Sequence, residues 1–250
     1  MSDAIAFVPT MGALHAGHLE LIKRARELSP TVVVSIFVNP LQFENADDLA
    51  RYPRDIDGDT ERALLAGASR VWAPSYEEVY PTEIEKISAG SLGEIYEGRH
   101  RIGHFDGMLT VVNHLFEVVN PRYAIFGEKD FQQLFIVKKW VRENGIPVEI
   151  ISAPTVRDSG GLALSSRNSR LSETERKSAL VINRALSTGN KEGMLSTLAS
   201  ESTFQLDYAE IIDEENFEIA TPSTKSKRGI VAGWINGVRL LDNMVMGSNR

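Results

Sequence analysis

Residues 31–38 (TVVVSIFV) are β-branched and almost continuously apolar, and that run limits what the chain can become. A strand with one wet face alternates apolar and polar residues. A strand without that alternation is buried on both faces, as in a parallel sheet covered by helices. Residues 4–8 read as the end of another buried strand, followed by the turn Pro9-Thr10-Met11-Gly12 and a helix opening near Gly17. Leu19, Leu21, Ile22 and Ala25 then recur at helical spacing and give that helix a core-facing stripe. Strand, turn, helix and buried strand together predict the start of an α/β domain.

The run at 31–38 breaks at Asn39-Pro40-Leu41-Gln42-Phe43, at the strand's C-terminal end. Open α/β sheets bind their ligands along that edge. Asn39-Pro40 reads as a simple turn, whereas the amide of Gln42 between Leu41 and Phe43 implies a specific hydrogen-bond target. Asp55, Asp57 and Asp59 read as the solvated start of a helix over 60–66, because the stretch lacks calcium-loop spacing and paired histidines. A short strand at 70–73 continues the rhythm. Residues 75–101, punctuated by Tyr, Pro and Gly, read as irregular with one strand near 84–87. Gly103-His104-Phe105-Asp106 opens a helix with the stripe Leu109, Val112, Leu115, Phe116 and Val119; His104 either caps it or faces a substrate. A strand at 123–126 carries Gly127-Glu128-Lys129-Asp130 to the ligand edge, and a helix over 131–144 follows. Asp130 and Gln133 have capping-box spacing, so Gln133 can be read as a helix cap. Residues 148–151 read as the last parallel strand.

After Pro154 the pattern changes. VRDSGGLALSSRN (156–168) reads as a flexible loop whose serines, Arg157 and Arg167 suit closure over phosphates, or as a linker. Helices at 172–186 and 192–199 lead to strands at 205–212, 229–235 and 238–244, the last two joined by the hairpin signal Asn236-Gly237. This order predicts two domains, 1–155 and 156–250, dividing near Thr155.

The chemistry points to the first turn. His15-Ala16-Gly17-His18 sits where a helix starts, with Gly12 and Gly17 nearby. Glycine lets a ligand approach the backbone, and a helix N-terminus offers N–H groups and a positive dipole end. Imidazoles there donate to phosphate oxygens without a permanent charge, which suits a nucleoside triphosphate; the plainer alternative is two polar residues on a surface turn. A net charge of −7 argues against broad nucleic-acid binding. The absence of cysteine excludes thiolate chemistry and fits a cytoplasmic address. No apolar run has membrane-spanning length, so no membrane partner is expected.

The His-x-Gly-His pattern resembles the nucleotidyltransferase superfamily that includes class I aminoacyl-tRNA synthetases. The strings PTMGALHAGH, SIFVNPLQF, YPRDID, GHFDGMLTVV, FGEKDFQQL, LALSSRN and VRLLDN more closely resemble the pantothenate synthetases (pantoate–β-alanine ligases). They cover most of the chain in that family's order. The resemblance implies an α/β fold with a Rossmann-like, parallel-sheet N-terminal domain (1–155) binding ATP and pantoate, and a smaller α+β C-terminal lid (156–250). It implies an ATP- and Mg²⁺-dependent ligase that joins D-pantoate to β-alanine through pantoyl adenylate, releasing pyrophosphate and then AMP, in a cytoplasmic homodimer.

Residue by residue, the resemblance assigns Met11, Gly12, Ala13, Leu14, His15, Ala16, Gly17 and His18 to ATP, with His18 and Lys129 catalytic. Gly127, Glu128, Lys129, Asp130, Val156, Leu164, Ser165, Ser166 and Arg167 join the ATP set. Gln42 and Gln133 match pantoate-binding glutamines, Gln42 shared with β-alanine; no metal ligand is assigned. Other adenylyl- or cytidylyltransferases share the histidine turn, but the glutamine pair and FGEKDFQQL argue against them. A binding protein that has lost catalysis is the other alternative, against which stand Lys129 and both histidines. The sequence departs from the family at Gly160, Ile102 and Met108, where Asp, Pro and Val are usual, and it begins only a few residues before its first strand.

Overall fold

A computed structural model of the chain describes residues 4–43, 46–82 and 84–247. They form two compact units: Met1–Gly127 with Gln132–Pro154, and Glu128–Phe131 with Thr155–Arg250. In chain order the first unit holds β1 (Ile5–Thr10), α1 (Ala16–Leu28), β2 (Thr31–Ile36), α2 (Ala46–Ala50), α3 (Ile56–Leu65), β3 (Arg70–Trp72), α4 (Tyr76–Val79), α5 (Glu97–His100), α6 (His104–Val119), β4 (Tyr123–Gly127), α7 (Phe131–Glu143, its first residue grouped with the second unit) and β5 (Glu149–Ala153).

The five strands make one sheet in the order β3-β2-β1-β4-β5, with every pairing parallel. β1 pairs with β2 over its whole length, from Ile5↔Thr31 to Thr10↔Ile36. The alternation of strand side chains sorts the core into two layers. Ala6, Val8, Val32 and Val34 pack with Ile22 and Ala25 of α1 and Ala63 of α3. Phe7 points the other way and meets Phe116 of α6 edge-on, with ring centroids 6.3 Å apart. The lack of alternation at 31–36 thus has its cause: β2 is covered on both faces, and Val32, Val34 and Ser35 have no exposed surface.

Several expectations for this unit fail, among them the irregular reading of 75–101, a stretch that holds the short helices α4 and α5. Residues 84–87 form no strand; the Ile87 N–H donates to Thr110 Oγ1 (2.9 Å) and the Ala89 N–H to Asp106 Oδ1 (2.8 Å), so side chains of α6 hold this segment. The helix expected at 60–66 starts at Ile56, because Asp55 caps it by accepting the Gly58 N–H.

The second unit contains α8 (Glu173–Leu186), α9 (Lys191–Ala199), β6 (Phe204–Asp213), β7 (Lys227–Ile235) and β8 (Val238–Met246). Its three strands form an antiparallel sheet, β6-β7-β8. Ala179, Ile182, Leu186, Met194 and Leu198 of the two helices pack against Val231, Ile235, Leu240 and Met246 of the sheet. Asn236 and Gly237 both take positive φ (46° and 73°), the conformation the Asn-Gly hairpin signal requires.

Candidate active site

A parallel sheet places all its strand C-termini on one edge. Between β1 and β4 the connections leave in opposite directions, which opens a crevice there. In the first unit, residues 11–18 follow β1, residues 39–42 follow β2, and Gly127 ends β4.

The turn after β1 is held from beneath. Asp59 of α3 is 1% exposed and accepts the N–H groups of Ala13 (2.6 Å) and Leu14 (2.8 Å) and a proton of Arg62 Nη1 (2.8 Å). The expectation of a solvated Asp59 is therefore wrong, although Asp55 and Asp57 are exposed. Gly12 has φ +83°, and a Cβ there would sit 3.0 Å from Asp59 Oδ2, so the buried carboxylate and the glycine belong together.

The two histidines cap α1 reciprocally. His15 Nδ1 accepts the Gly17 N–H (3.1 Å), and His18 Nδ1 accepts the His15 N–H (3.3 Å), with ring centroids 4.2 Å apart. A ring nitrogen that accepts an N–H carries no proton, so each neutral imidazole holds its proton on Nε2. The backbone N–H groups of residues 13, 14, 15 and 17 are thus spent on protein acceptors, and that of His18 bonds the His15 carbonyl (2.8 Å). Those five backbone donors are therefore not available as the expected cradle.

The break after β2 is more than a turn. Asn39 is fully buried, and its Nδ2 donates to Gln42 Oε1 (3.1 Å) and the Gly107 carbonyl (3.0 Å). Its Oδ1 accepts from the Tyr80 hydroxyl (3.0 Å) and the Leu41 N–H (3.2 Å). Burial, with Tyr76 nearby, pushes the Tyr80 hydroxyl pKa well up, so it remains a donor. With its oxygen occupied, Gln42 has its amino group left to donate, the end a substrate carboxylate requires. The Gln42 carbonyl lies 2.8 Å from His104 Nδ1 and accepts from Arg101 Nη2 (3.3 Å). His104 is 6% exposed, a support for Gln42 and not a cap of α6. Gly107 is obligatory: a Cβ there would lie 2.1 Å from the Leu41 carbonyl oxygen. Asn39 and Tyr80 are among the residues that sequence reasoning missed; the signal was an Asn directly after the apolar run 31–38.

The two glutamines at the start of α7 divide their work. Gln132 is buried; its Oε1 accepts the Glu97 N–H (3.1 Å) and its Nε2 donates to the carbonyls of Leu92 (2.8 Å) and Ile95 (2.9 Å). Gln133 is half-buried, and its side chain makes no hydrogen bond among the described residues.

In the second unit, Glu128–Asp130 form a single 3-10 turn. Lys129 Nζ lies 3.2 Å from Asp130 Oδ1, with its side chain 20% exposed. Asn243 of β8 donates from Nδ2 to the carbonyls of Glu128 and Lys129, both at 2.8 Å. The segment 156–168, expected to be flexible, is tied down. The Leu164 N–H bonds the Val156 carbonyl (3.0 Å), and the Asp158 N–H the Leu162 carbonyl (2.9 Å). Arg157 forks onto Asp242 (2.5 and 2.9 Å), which removes it from the candidate phosphate ligands. Ser165 accepts the Arg167 N–H (3.3 Å) and caps the 3-10 turn Ser166–Arg170. Gly160 is exposed and has an ordinary φ; its N–H donates to Asp158 Oδ1 (2.9 Å). Ile102 is exposed, whereas Met108 is buried in α6.

Comparison with known proteins agrees along the whole chain. The family model "Pantoate-beta-alanine ligase" matches residues 1–245. A pantothenate synthetase from Acidothermus cellulolyticus is 44% identical, covering 98% of this chain and 86% of its own length. The crystal structure of a Thermus thermophilus pantothenate synthetase superposes with a TM-score of 0.92 at 43% identity, covering 98% of this chain and 94% of that one. That of the Francisella tularensis pantoate–β-alanine ligase, complexed with β-γ ATP and β-alanine, superposes with a TM-score of 0.85 at 36% identity, covering 99% and 91%. The chain belongs to the pantoate–β-alanine ligase family.

Proposed function

We propose that this chain is an enzyme joining D-pantoate to β-alanine with ATP, by way of pantoyl adenylate. The observation that carries the reading is the family match over residues 1–245, which takes in every candidate site residue. The pantoate carboxylate is ionised near neutral pH and attacks the α-phosphorus; the bond to pyrophosphate breaks. The amine of β-alanine then attacks the activated carbonyl, loses a proton and expels AMP. The first step needs no strong base, only the gathering of two anions and donors for the charge that moves onto phosphoryl oxygens.

The residues are suited to those tasks. His15 and His18, each with its proton on Nε2, serve as neutral donors to phosphate oxygens. Lys129 supplies a cation, and Ser165, Ser166 and Arg167 offer further phosphate donors. Gln42 presents its amino group to the pantoate carboxylate, with Gln133 as a second amide. The N-terminal unit is read as the ATP and pantoate domain and the C-terminal unit as its lid.

Mg²⁺ belongs to the reading as ATP's companion. No group of three or more His, Cys, Asp or Glu able to hold a metal occurs among the described residues. A magnesium ion held mainly by phosphates and water needs none, so no residue is assigned to it and no step runs through it. The homodimer rests on the family resemblance. The cytoplasmic address rests on that resemblance and on the lack of cysteine; no described helix is long and apolar enough to cross a membrane. With all three substrates, pantothenate, AMP and pyrophosphate should appear in equal amounts. Release of ADP and phosphate in their place would overturn the adenylate route.

A further inference from the structure

We infer that Asn243, on the last strand, positions Lys129 for adenylation; this rests on the reading of Lys129 given above. The two peptide planes that flank the Lys129 Cα carry the carbonyls of Glu128 and Lys129. Asn243 Nδ2 donates one proton to each, at 2.8 Å, across 115 and 114 residues of chain respectively. Fixing both planes fixes φ and ψ at Lys129, and with them the direction in which its side chain leaves the backbone. The primary amide supplies both protons without adding a charge: aspartate has no proton to give, and a serine hydroxyl has one.

Asn243 is itself held on every polar group. Its Oδ1 accepts from Arg228 Nη1 (2.5 Å), its N–H donates to Asp242 Oδ1 (2.8 Å), and its carbonyl accepts from Arg157 Nη2 (3.3 Å). Arg228 can only donate and the two backbone carbonyls can only accept, so the amide has one possible orientation. Arg228 in turn donates to Glu214 Oε1 (2.6 Å), lies 3.4 Å from Glu128 Oε2, and stacks over the Phe131 ring at 4.1 Å. Asn243 is 4% exposed and Arg228 is 6% exposed. This network brackets Lys129 on both sides, at Glu128 and Phe131, and it reaches Lys129 through the backbone carbonyl. It holds the lysine in place without consuming the ammonium.

The test is a double-mutant cycle on the full chain: parent, Asn243→Asp, Lys129→Ala and the double variant, each in single-turnover formation of pantoyl adenylate at saturating ATP and D-pantoate. Asn243→Asp keeps the acceptor for Arg228 and removes both donors. It should slow adenylation about 10- to 100-fold, as a displaced catalytic group does, while the equilibrium affinity for ATP stays at the parent value. In the Lys129→Ala background the same change should have no further effect, because there is no ammonium left to misplace. An equal slowing in both backgrounds, or no slowing in the parent, overturns the positioning role. A Lys129→Ala variant as fast as the parent instead sinks the reading of Lys129 itself. Asn243→Ser, scored in the same cycle, serves if Asn243→Asp does not fold.

Discussion

Two turns follow parallel strands of the same sheet, and they are fastened by opposite means. The turn after β1 spends its backbone N–H groups on protein acceptors: buried Asp59 takes those of Ala13 and Leu14, and the histidine Nδ1 atoms take two more. The turn after β4 has its carbonyls claimed by a buried donor, Asn243. In both, backbone groups of the turn are satisfied from within the protein. On the proposed reading, each turn offers phosphate a side chain whose backbone is wired in place, imidazole in one and ammonium in the other, in contrast to a glycine-rich cradle of free N–H groups.

The contrast can be broken most forcefully at Lys129. Lys129→Ala should slow pantoyl adenylate formation on the order of 100-fold or more, by analogy with lost oxyanion donors, with fold and much of the ATP affinity kept. A parent-like rate in a single turnover would return Lys129 to the status of a surface charge paired with Asp130, a contact of little value. The two glutamines come next. Gln42→Ala and Gln133→Ala should each weaken pantoate binding by roughly 1–3 kcal/mol while ATP affinity changes little, as titrations with each substrate would reveal. The cap reading of Gln133 is already excluded by its lack of a side-chain hydrogen bond among the described residues, so loss of thermal stability alone in Gln133→Ala would make that residue a packing element and not a pantoate ligand.

Asp59→Asn sharpens the other side of the contrast. The amide keeps one acceptor but turns an NH₂ toward a backbone N–H, so about 1–2 kcal/mol of stability should be lost, with a raised KM for ATP. A variant with lower melting temperature but unchanged KM would mean that the turn's shape does not matter to ATP. The smallest effect is expected from Tyr80→Phe, about 1 kcal/mol, for one hydrogen bond to Asn39. Its pH signature is more telling. Burial raises the Tyr80 pKa in the folded state, so its contribution is intact below the unfolded value of about 10 and is lost as pH rises above it. Denaturant titrations from pH 8 to 11 should show a stability loss in the parent that Tyr80→Phe reduces.

The sheet was legible because burial on both faces leaves a plain mark, a β-branched run at 31–36 interrupted only by Ser35, and because Asn236-Gly237 admits little besides a hairpin. Local chemistry is legible too: Ser172 and Glu175 have the Ser-x-x-Glu spacing of a capping box, and both of its hydrogen bonds are present at the start of α8. What escaped were partners distant in sequence. Asp59 looked like its exposed neighbours Asp55 and Asp57, since nothing local marks which of three alternating carboxylates will meet a turn 45 residues earlier. Arg157 read as a phosphate ligand because its partner Asp242 lies 85 residues away. Residues 84–87 carry strand-like residues but meet side chains of α6 where a strand partner was expected. Hydrophobic period reports which face is buried; it does not say which polar group waits there.

On the proposed route the chain activates a carboxylate as its adenylate before the amine takes part. Exchange of labelled pyrophosphate into ATP measures that step alone. With Mg²⁺ and D-pantoate, and without β-alanine, label should enter ATP at a rate sufficient to account for turnover. Exchange that requires β-alanine, or that proceeds with β-alanine in place of D-pantoate, would contradict the account.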